Sequence, residues 1–230
     1  MTYVLHYAPD NASLIVRLAL EHRELPYRAA LVDRRAKAQE SADFRALNPN
    51  GLIPVLETPE GPLFETGAIL LYLADRHGGL GPGPDDPARG DFLKWLFFLS
   101  NTIHPALRRL FYPEKSIAPA HVDALRAGTR NDLTQHYATL EIQAVRGWLL
   151  GGTAPTVLDF YTAALLRWPV LYPADQPRDW FTLAASPALA RLSTAVEALP
   201  ATHALQCAEG LGDTPFTAPR YPQPPEGSAT

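Results

Sequence analysis

The sequence predicts two fold classes in one chain, an α/β unit over residues 1–80 and an all-α unit over residues 86–215. Three observations carry this. The first 77 residues alternate between strand-like and helix-like segments. Residues 78–87, "GGLGPGPDDP", pack four glycines and three prolines into ten positions. Beyond them the clear apolar periods are helical. With 230 residues, 47% of them apolar, the chain has enough material for a sizeable core.

"TYVLHY" alternates, is rich in strand formers and ends in the turn cluster Pro9-Asp10-Asn11. From Ser13 to Glu24 the polar residues Arg17, Glu21 and Glu24 fall at helical spacing, opposite Leu14, Ile15, Leu18 and Ala19, which predicts an amphipathic helix. "LPYRAALVD" reads as a second strand, and residues 34–47 as a polar segment with a short helix ending in "DFRALNP". "GLIPVLE" and "GPLFE", separated by "TPEG", predict an antiparallel hairpin. "TGAILLYLADRHGG" predicts a helix that starts at Thr66 and stops at Gly78.

In the second unit Asp86-Pro87 fits an N-cap and first helical residue, and Pro105 is expected to kink or end that helix. A helix over about 119–150 carries Val122, Leu125, Leu133, Leu140 and Trp148 on one stripe. Thr156 and Asp159 form a capping-box pattern that opens a helix running to Pro169. Residues 216–230 are Pro-rich and aperiodic and read as a loosely held tail.

Composition excludes several functions. Twenty basic against twenty-four acidic residues leave a net charge of −4, with no basic cluster for a phosphate backbone, so nucleic acid is not an expected partner. The most apolar stretch, "FLKWLFFL", is far shorter than the ~20 residues that span a bilayer, and no membrane role is expected. The N-terminus has no basic and apolar leader pattern, so a cytoplasmic location is the expectation. The single cysteine, Cys207, leaves no disulfide framework and no zinc cluster, and the histidines show no ligand spacing. No metal is expected.

The order of elements, the motif "NPNGLIPVL" and an "ET" pair eleven residues after Pro54 together resemble the cytosolic glutathione S-transferase family over residues 3 to about 205. "YAPDNASLIVRLALE" and the Thr156–Asp159 box agree with it. The resemblance implies a thioredoxin-like N-terminal domain with a mixed four-stranded sheet, a C-terminal helical bundle, glutathione as co-substrate and a homodimer. It further implies a cis Ile53-Pro54 bond that turns the Ile53 backbone toward an extended peptide. Glu65 and Thr66, at a helix start, would meet the ammonium and carboxylate of the γ-glutamyl end. Lys37 would meet the glycine carboxylate, and His104 would face glutathione, although the lysine expected after it is Pro105 here. Each has an ordinary structural reading too: edge-strand proline, N-cap, solvated lysine and core histidine.

Such an enzyme must hold glutathione as thiolate, from a free thiol pKa of about 8.5. Lowering that by two units takes roughly 2.7 kcal/mol. One hydrogen bond to a charged acceptor supplies about 1.5–3 kcal/mol and a helix N-terminus about 0.3–1. Beta-type members of the family place a cysteine where this chain has Ala12, so mixed-disulfide chemistry at that helix start is closed. Ser13, Asn11 and Tyr7 remain as donors to the sulfur; their structural alternatives are an N-cap, a turn residue and a packed aromatic. Phe97, Phe98, Phe111, Tyr112, Trp168 and Tyr172 are available to line an electrophile site. The reading is a transferase that adds glutathione to a small apolar electrophile, a detoxification chemistry. Two alternatives are a cysteine-independent glutathione-disulfide oxidoreductase and a non-catalytic binding or scaffold protein. The isomerase signature S-S-C-x-W-R is absent.

Overall fold

The structure is a computed structural model that describes residues 2–147 and 150–229. Strand β1 (Tyr3–Tyr7) buries Tyr3, Leu5 and Tyr7 on one face and leads into α1 (Ser13–His22). β2 (Tyr27–Leu31) returns parallel to β1. A single 3-10 turn precedes α2 (Ala42–Leu47), whose N-cap Ser41 accepts the Phe44 N–H through Oγ. β3 (Val55–Thr58) and β4 (Gly61–Phe64) form the expected hairpin across Pro59 and Glu60, with Gly61 at φ +120°. The sheet order is β2-β1-β3-β4, mixed because β1 pairs parallel to β2 and antiparallel to β3. Helix α3 (Thr66–His77) ends at Gly78, φ +65°. α1 and α3 cover one sheet face; on the other, Phe44 of α2 packs with Val32 and Val55. This is the thioredoxin-like arrangement the resemblance implied.

The helical part contains α4 (Arg89–Phe98), α5 (His104–Phe111), α6 (Val122–Arg146), α7 (Val157–Leu171), α8 (Pro187–Glu197) and α9 (Pro200–Glu209). Its core is continuous with that of the sheet, because α1 packs against α3, α7 and α9 at once. α7 starts at the expected capping box: Thr156 Oγ1 accepts from Leu158, and Asp159 Oδ2 accepts the Thr156 N–H at 2.7 Å. α6 ends at Gly147 in the left-handed conformation; Trp148, expected on its stripe, lies outside the described residues. No helix is long and apolar enough to cross a membrane among the described residues.

Several local expectations are corrected by tertiary context. α1 is not amphipathic toward solvent: Arg17 is only 4% exposed, because α9 covers the face it occupies. α4 begins at Arg89 rather than Pro87; the Asp86 carboxylate does accept a backbone N–H, that of Ala88, but as part of the turn before the helix. Pro105 does not interrupt the helical path. A π turn (Leu99–Ile103) runs directly into α5 with Pro105 in its first turn, and the register change accommodates a residue that lacks an N–H. Pro169 lies inside α7, and the carbonyl four residues back that it leaves unpaired, Leu165, accepts from the buried Tyr137 hydroxyl at 2.9 Å. The Pro-rich end is not loose. Phe216 is buried, Gln223 donates to the Gly210 carbonyl, and residues 224–229 lie back across the first domain.

Candidate functional site

The strand registers bring the sequence-predicted residues to one end of the sheet. Tyr7 closes β1 opposite Leu31 of β2; His6 pairs with Val55 of β3, so the next residues, Tyr7 and Ala8, run beside Pro54 and Ile53. Val55 pairs with Phe64 of β4, which sets Glu65 beside Pro54. The β1–α1 turn with Asn11, the cis Ile53-Pro54 bond and the start of α3 therefore share one rim. Among the described residues neither backbone polar group of Ile53 has a partner, and an open N–H and C=O on one residue is what an added extended peptide pairs with. Glu65, at φ +70°, is exposed at the N-terminus of α3, and Thr66 is buried behind it.

The three candidate sulfur donors are in different circumstances. Ser13 is fully buried, and its hydroxyl is closed onto one residue, accepting from the Ala8 N–H at 3.3 Å and donating to the Ala8 carbonyl at 3.1 Å. Tyr7 is 2% exposed and donates to the Glu226 carboxylate at 2.5 Å. Burial first, then that carboxylate, push its hydroxyl up to about 12, so it keeps its proton. Asn11 is partly exposed. Its Oδ1 accepts the Ala12 N–H at 2.8 Å, which leaves Nδ2 without a partner among the described residues, and the Ser13 N–H at the first position of α1 is likewise open. Ala12 carries no reactive atom, and Cys207 is an exposed free thiol on α9.

His104 stands one group behind the rim. Its Nδ1 bonds the Tyr161 hydroxyl at 2.7 Å, and Tyr161 in turn meets the Thr66 side chain at the start of α3. Burial, with Arg108 nearby, pushes the imidazole down to about 4, so it is neutral at physiological pH and offers no positive charge to a ligand. Lys37 is exposed in a left-handed conformation on the β2–α2 loop, and its ammonium has no partner among the described residues. Of the aromatics expected near an electrophile, Phe111 and Tyr172 stack edge-on at 6.1 Å. Phe98 packs instead with Trp95 and His136, and Phe97 is half exposed on that other face.

Buried charge that the sequence reading missed holds this rim to the helical part. The Asp10 carboxylate, in the β1–α1 turn at φ +49°, takes a bidentate pair of bonds from Arg167 of α7 at 2.8 and 3.0 Å. It also accepts from Trp168 Nε1 at 3.0 Å and from the Tyr172 hydroxyl at 2.9 Å. Beside it, Arg17 pairs with Glu209 at 2.9 Å, and the second Glu209 oxygen accepts the Asp10 N–H. Burial pushes the Glu209 carboxyl up to about 7 against the opposing Arg17. Glu209 conversely raises Arg17 above its ordinary value despite burial, and the 2.9 Å geometry with a backbone donor supports an ionised pair. A signal for one of these existed: Arg167 is the lone charge in "FYTAALLRWPVL", and a charge in an all-apolar helix requires a buried counter-charge. Which carboxylate supplies it cannot be read from spacing. No cluster of residues among those described could hold a metal ion.

Comparison with known proteins shows what the chain as a whole is similar to. Residues 1–75 match the family model described as the glutathione S-transferase N-terminal domain. The glutathione S-transferase GST-4.5 of Xanthomonas campestris pv. campestris is 32% identical over 171 residues, covering 71% of this chain and 81% of that protein. Among solved structures, a sphingomonad glutathione S-transferase complexed with glutathione is 31% identical with a TM-score of 0.75, covering 91% of this chain and all of the other. A ternary complex of BphK, a bacterial transferase, is 28% identical with a TM-score of 0.76 over 90% of this chain and 100% of that one.

Proposed function

This chain belongs to the glutathione S-transferase family, and on that premise we propose how its residues serve the reaction. Glutathione is the co-substrate. In the transfer the thiol proton passes to solvent, the sulfur lone pair forms a bond to an electrophilic carbon, and the leaving group departs with the electrons of the bond it breaks. The enzyme's task is to hold the thiolate and to orient it.

Glutathione lies along the rim as an added strand against the open Ile53 backbone, with its γ-glutamyl end at Glu65 and Thr66. Lys37 meets the carboxylate at its other end. The sulfur then falls at the N-terminus of α1. There the observation that carries the assignment is the unpartnered Asn11 amide beside the open Ser13 N–H, whereas the hydroxyls of Ser13 and Tyr7 are committed elsewhere. Asn11 is the side-chain donor to the thiolate and the helix terminus the second contribution. His104 supports the γ-glutamyl end through Tyr161 and Thr66. The second substrate is a small apolar electrophile, which enters between the rim and the aromatic residues Phe111, Tyr112 and Tyr172.

The test is Asn11→Ala against Ser13→Ala, with glutathione and an aryl halide. Loss of a bond to a charged acceptor, about 1.5–3 kcal/mol, corresponds to a roughly 10- to 100-fold fall in kcat/KM and a thiolate absorbance that titrates one to two units higher. Equal turnover by Asn11→Ala and the parent would remove Asn11 from the mechanism.

The chain also acts as a homodimer in this reading. A groove of about 470 Å³ lined by Trp95, Phe97, Phe98 and Thr102 stands open on the α4–α6 face, and Phe97 is 51% exposed there. An apolar face of this kind suits a second copy of the chain. The setting is the cytoplasm, where the glutathione pool is kept reduced, and the role is detoxification.

A further inference from the structure

We propose that residues 224–229 form a displaceable strap that occupies a carboxylate-accepting cleft beside the rim, and that the electrophile this enzyme prefers carries an anionic group that takes the strap's place. The proposal rests on the transferase reading above and names the substrate class of that site.

The strap touches the site's own elements. Glu226 accepts the Tyr7 hydroxyl at the end of β1, and Gly227 lies against Leu31 at the end of β2 and Pro9 in the turn that carries Asn11. The Ala229 carbonyl accepts from the Arg34 guanidinium, at the start of the loop that carries Lys37, and the same guanidinium donates to the Tyr112 hydroxyl at the end of α5 at 3.2 Å. A ligand entering between the β1–α1 turn, that loop and α5 meets the strap first.

Two charges in this cleft, Arg34 and Glu226, are not matched. Among the described residues Arg34 pairs with no carboxylate and donates only to neutral oxygens, while Glu226 pairs with no cation and accepts only from a neutral hydroxyl. Arg17 sits 4.4 Å over the Tyr7 ring, and its buried Nη2 atom has no hydrogen-bond partner. A guanidinium satisfied only by neutral acceptors gains more from an anion than from a carbonyl, and its planar fork suits a carboxylate. The Glu226 carboxylate thus occupies one place that a ligand carboxylate can take, with Arg34 as the better partner left over.

The strap is weakly tied compared with the segment before it. Residues up to Gln223 are anchored by Arg167 to the Pro215 and Arg220 carbonyls, by Tyr221 to the Leu171 carbonyl and by Gln223 to Gly210. Beyond Gln223, among the described residues, the strap is held by the bonds from Tyr7 and Arg34, by the buried Ser228 and by the close fit of Gly227. Here glycine is required: at φ +72° an added Cβ would lie 2.6 Å from a Leu31 methyl. Gly227→Val therefore lifts the strap by steric conflict, and Glu226→Ala releases it chemically, both in the full chain.

The experiment compares kcat/KM for a matched pair of electrophiles, 1-chloro-2,4-dinitrobenzene and 4-chloro-3,5-dinitrobenzoate, each normalised to its uncatalysed rate with glutathione. A strap that fills the cleft most of the time lowers apparent affinity by the open fraction, so both variants are expected to raise kcat/KM for the benzoate about tenfold, with a smaller gain for the neutral halide. Adding Arg34→Gln to Gly227→Val is expected to abolish the difference between the two electrophiles. Values within twofold of the parent in both strap variants would overturn the strap, and equal gains for both electrophiles would overturn the anion. If no protein conjugates either halide, the transferase reading fails separately. The strap is then read by a fluorescein-labelled peptide of residues 222–229 added to the Gly227→Val protein: binding displaced by 3,5-dinitrobenzoate upholds the cleft, and absence of binding overturns it.

Discussion

Replacing Arg167 by Met tests whether the buried Asp10–Arg167 pair holds the two parts of the molecule together. Both side chains are fully buried, and the guanidinium makes two bonds to the carboxylate and two more to the carbonyls of Pro215 and Arg220. Removing it leaves Asp10 with Trp168 and Tyr172 as donors but no counter-charge, which costs about 3–5 kcal/mol. Against a total stability of roughly 5–15 kcal/mol this is a large fraction, and for a chain of this length it corresponds to a fall in Tm of about 10 °C. Urea unfolding read by tryptophan fluorescence and by circular dichroism measures it. The KM for glutathione is expected to rise as well, because Asp10 is the residue before Asn11 and its N–H and carboxylate fix the turn. Combining Arg167→Met with Asp10→Asn should cost less than the sum of the two, with a coupling of about 1–3 kcal/mol. An Arg167→Met protein within 1 kcal/mol of the parent would refute the clamp.

Other outcomes follow from the same geometry. His104 is pushed down to about 4 in the folded protein from 6.5, so the unfolded chain binds a proton that the folded one refuses between those values, and stability falls as pH drops from about 6.5 to 4. The loss is at most ~3 kcal/mol, and His104→Gln should flatten that stretch of a denaturation series run against pH. Thr156→Ala removes one half of the capping box at α7 and should cost about 1 kcal/mol in urea unfolding with an unchanged m-value. For the proposed dimer, Phe97→Glu places a charge on the exposed apolar groove and should halve the mass read by light scattering without lowering Tm by more than a few degrees; an unchanged mass would remove that face from the proposal.

Elements whose signal is local were legible. The alternation of "TYVLHY", the two-residue hairpin at Pro59-Glu60, the Thr66 start and Gly78 stop of α3 and the Thr156–Asp159 box each depend on residues a few positions apart, and each is where the spacing puts it. Pro105, expected to kink or end its helix, lies in a continuous helical path, and the helix expected to run to Pro169 runs on to Leu171, because what decides the outcome is a register shift or a distant partner: a π turn ahead of Pro105, and Tyr137 for the carbonyl freed by Pro169. Among the candidate donors, the types at the start of α1 were readable, but which of them is already engaged was not. Ser13 is closed by a bond back to Ala8, and Tyr7 by one to a residue 219 positions away.

What the amino-acid order determined by itself is the succession of elements and the two fold classes, because turn chemistry, capping and apolar period act over one or two helical turns. Only the tertiary structure decided that Arg17 faces Glu209 rather than water, that Asp10 rather than any other carboxylate answers Arg167, and that an aperiodic Pro-rich end lies over Tyr7 and Arg34. The physical reason is the same in each case. A charge or a proline-rich segment announces that it needs a partner, but the partner is chosen by which surfaces meet when the core closes, and no local pattern encodes that choice.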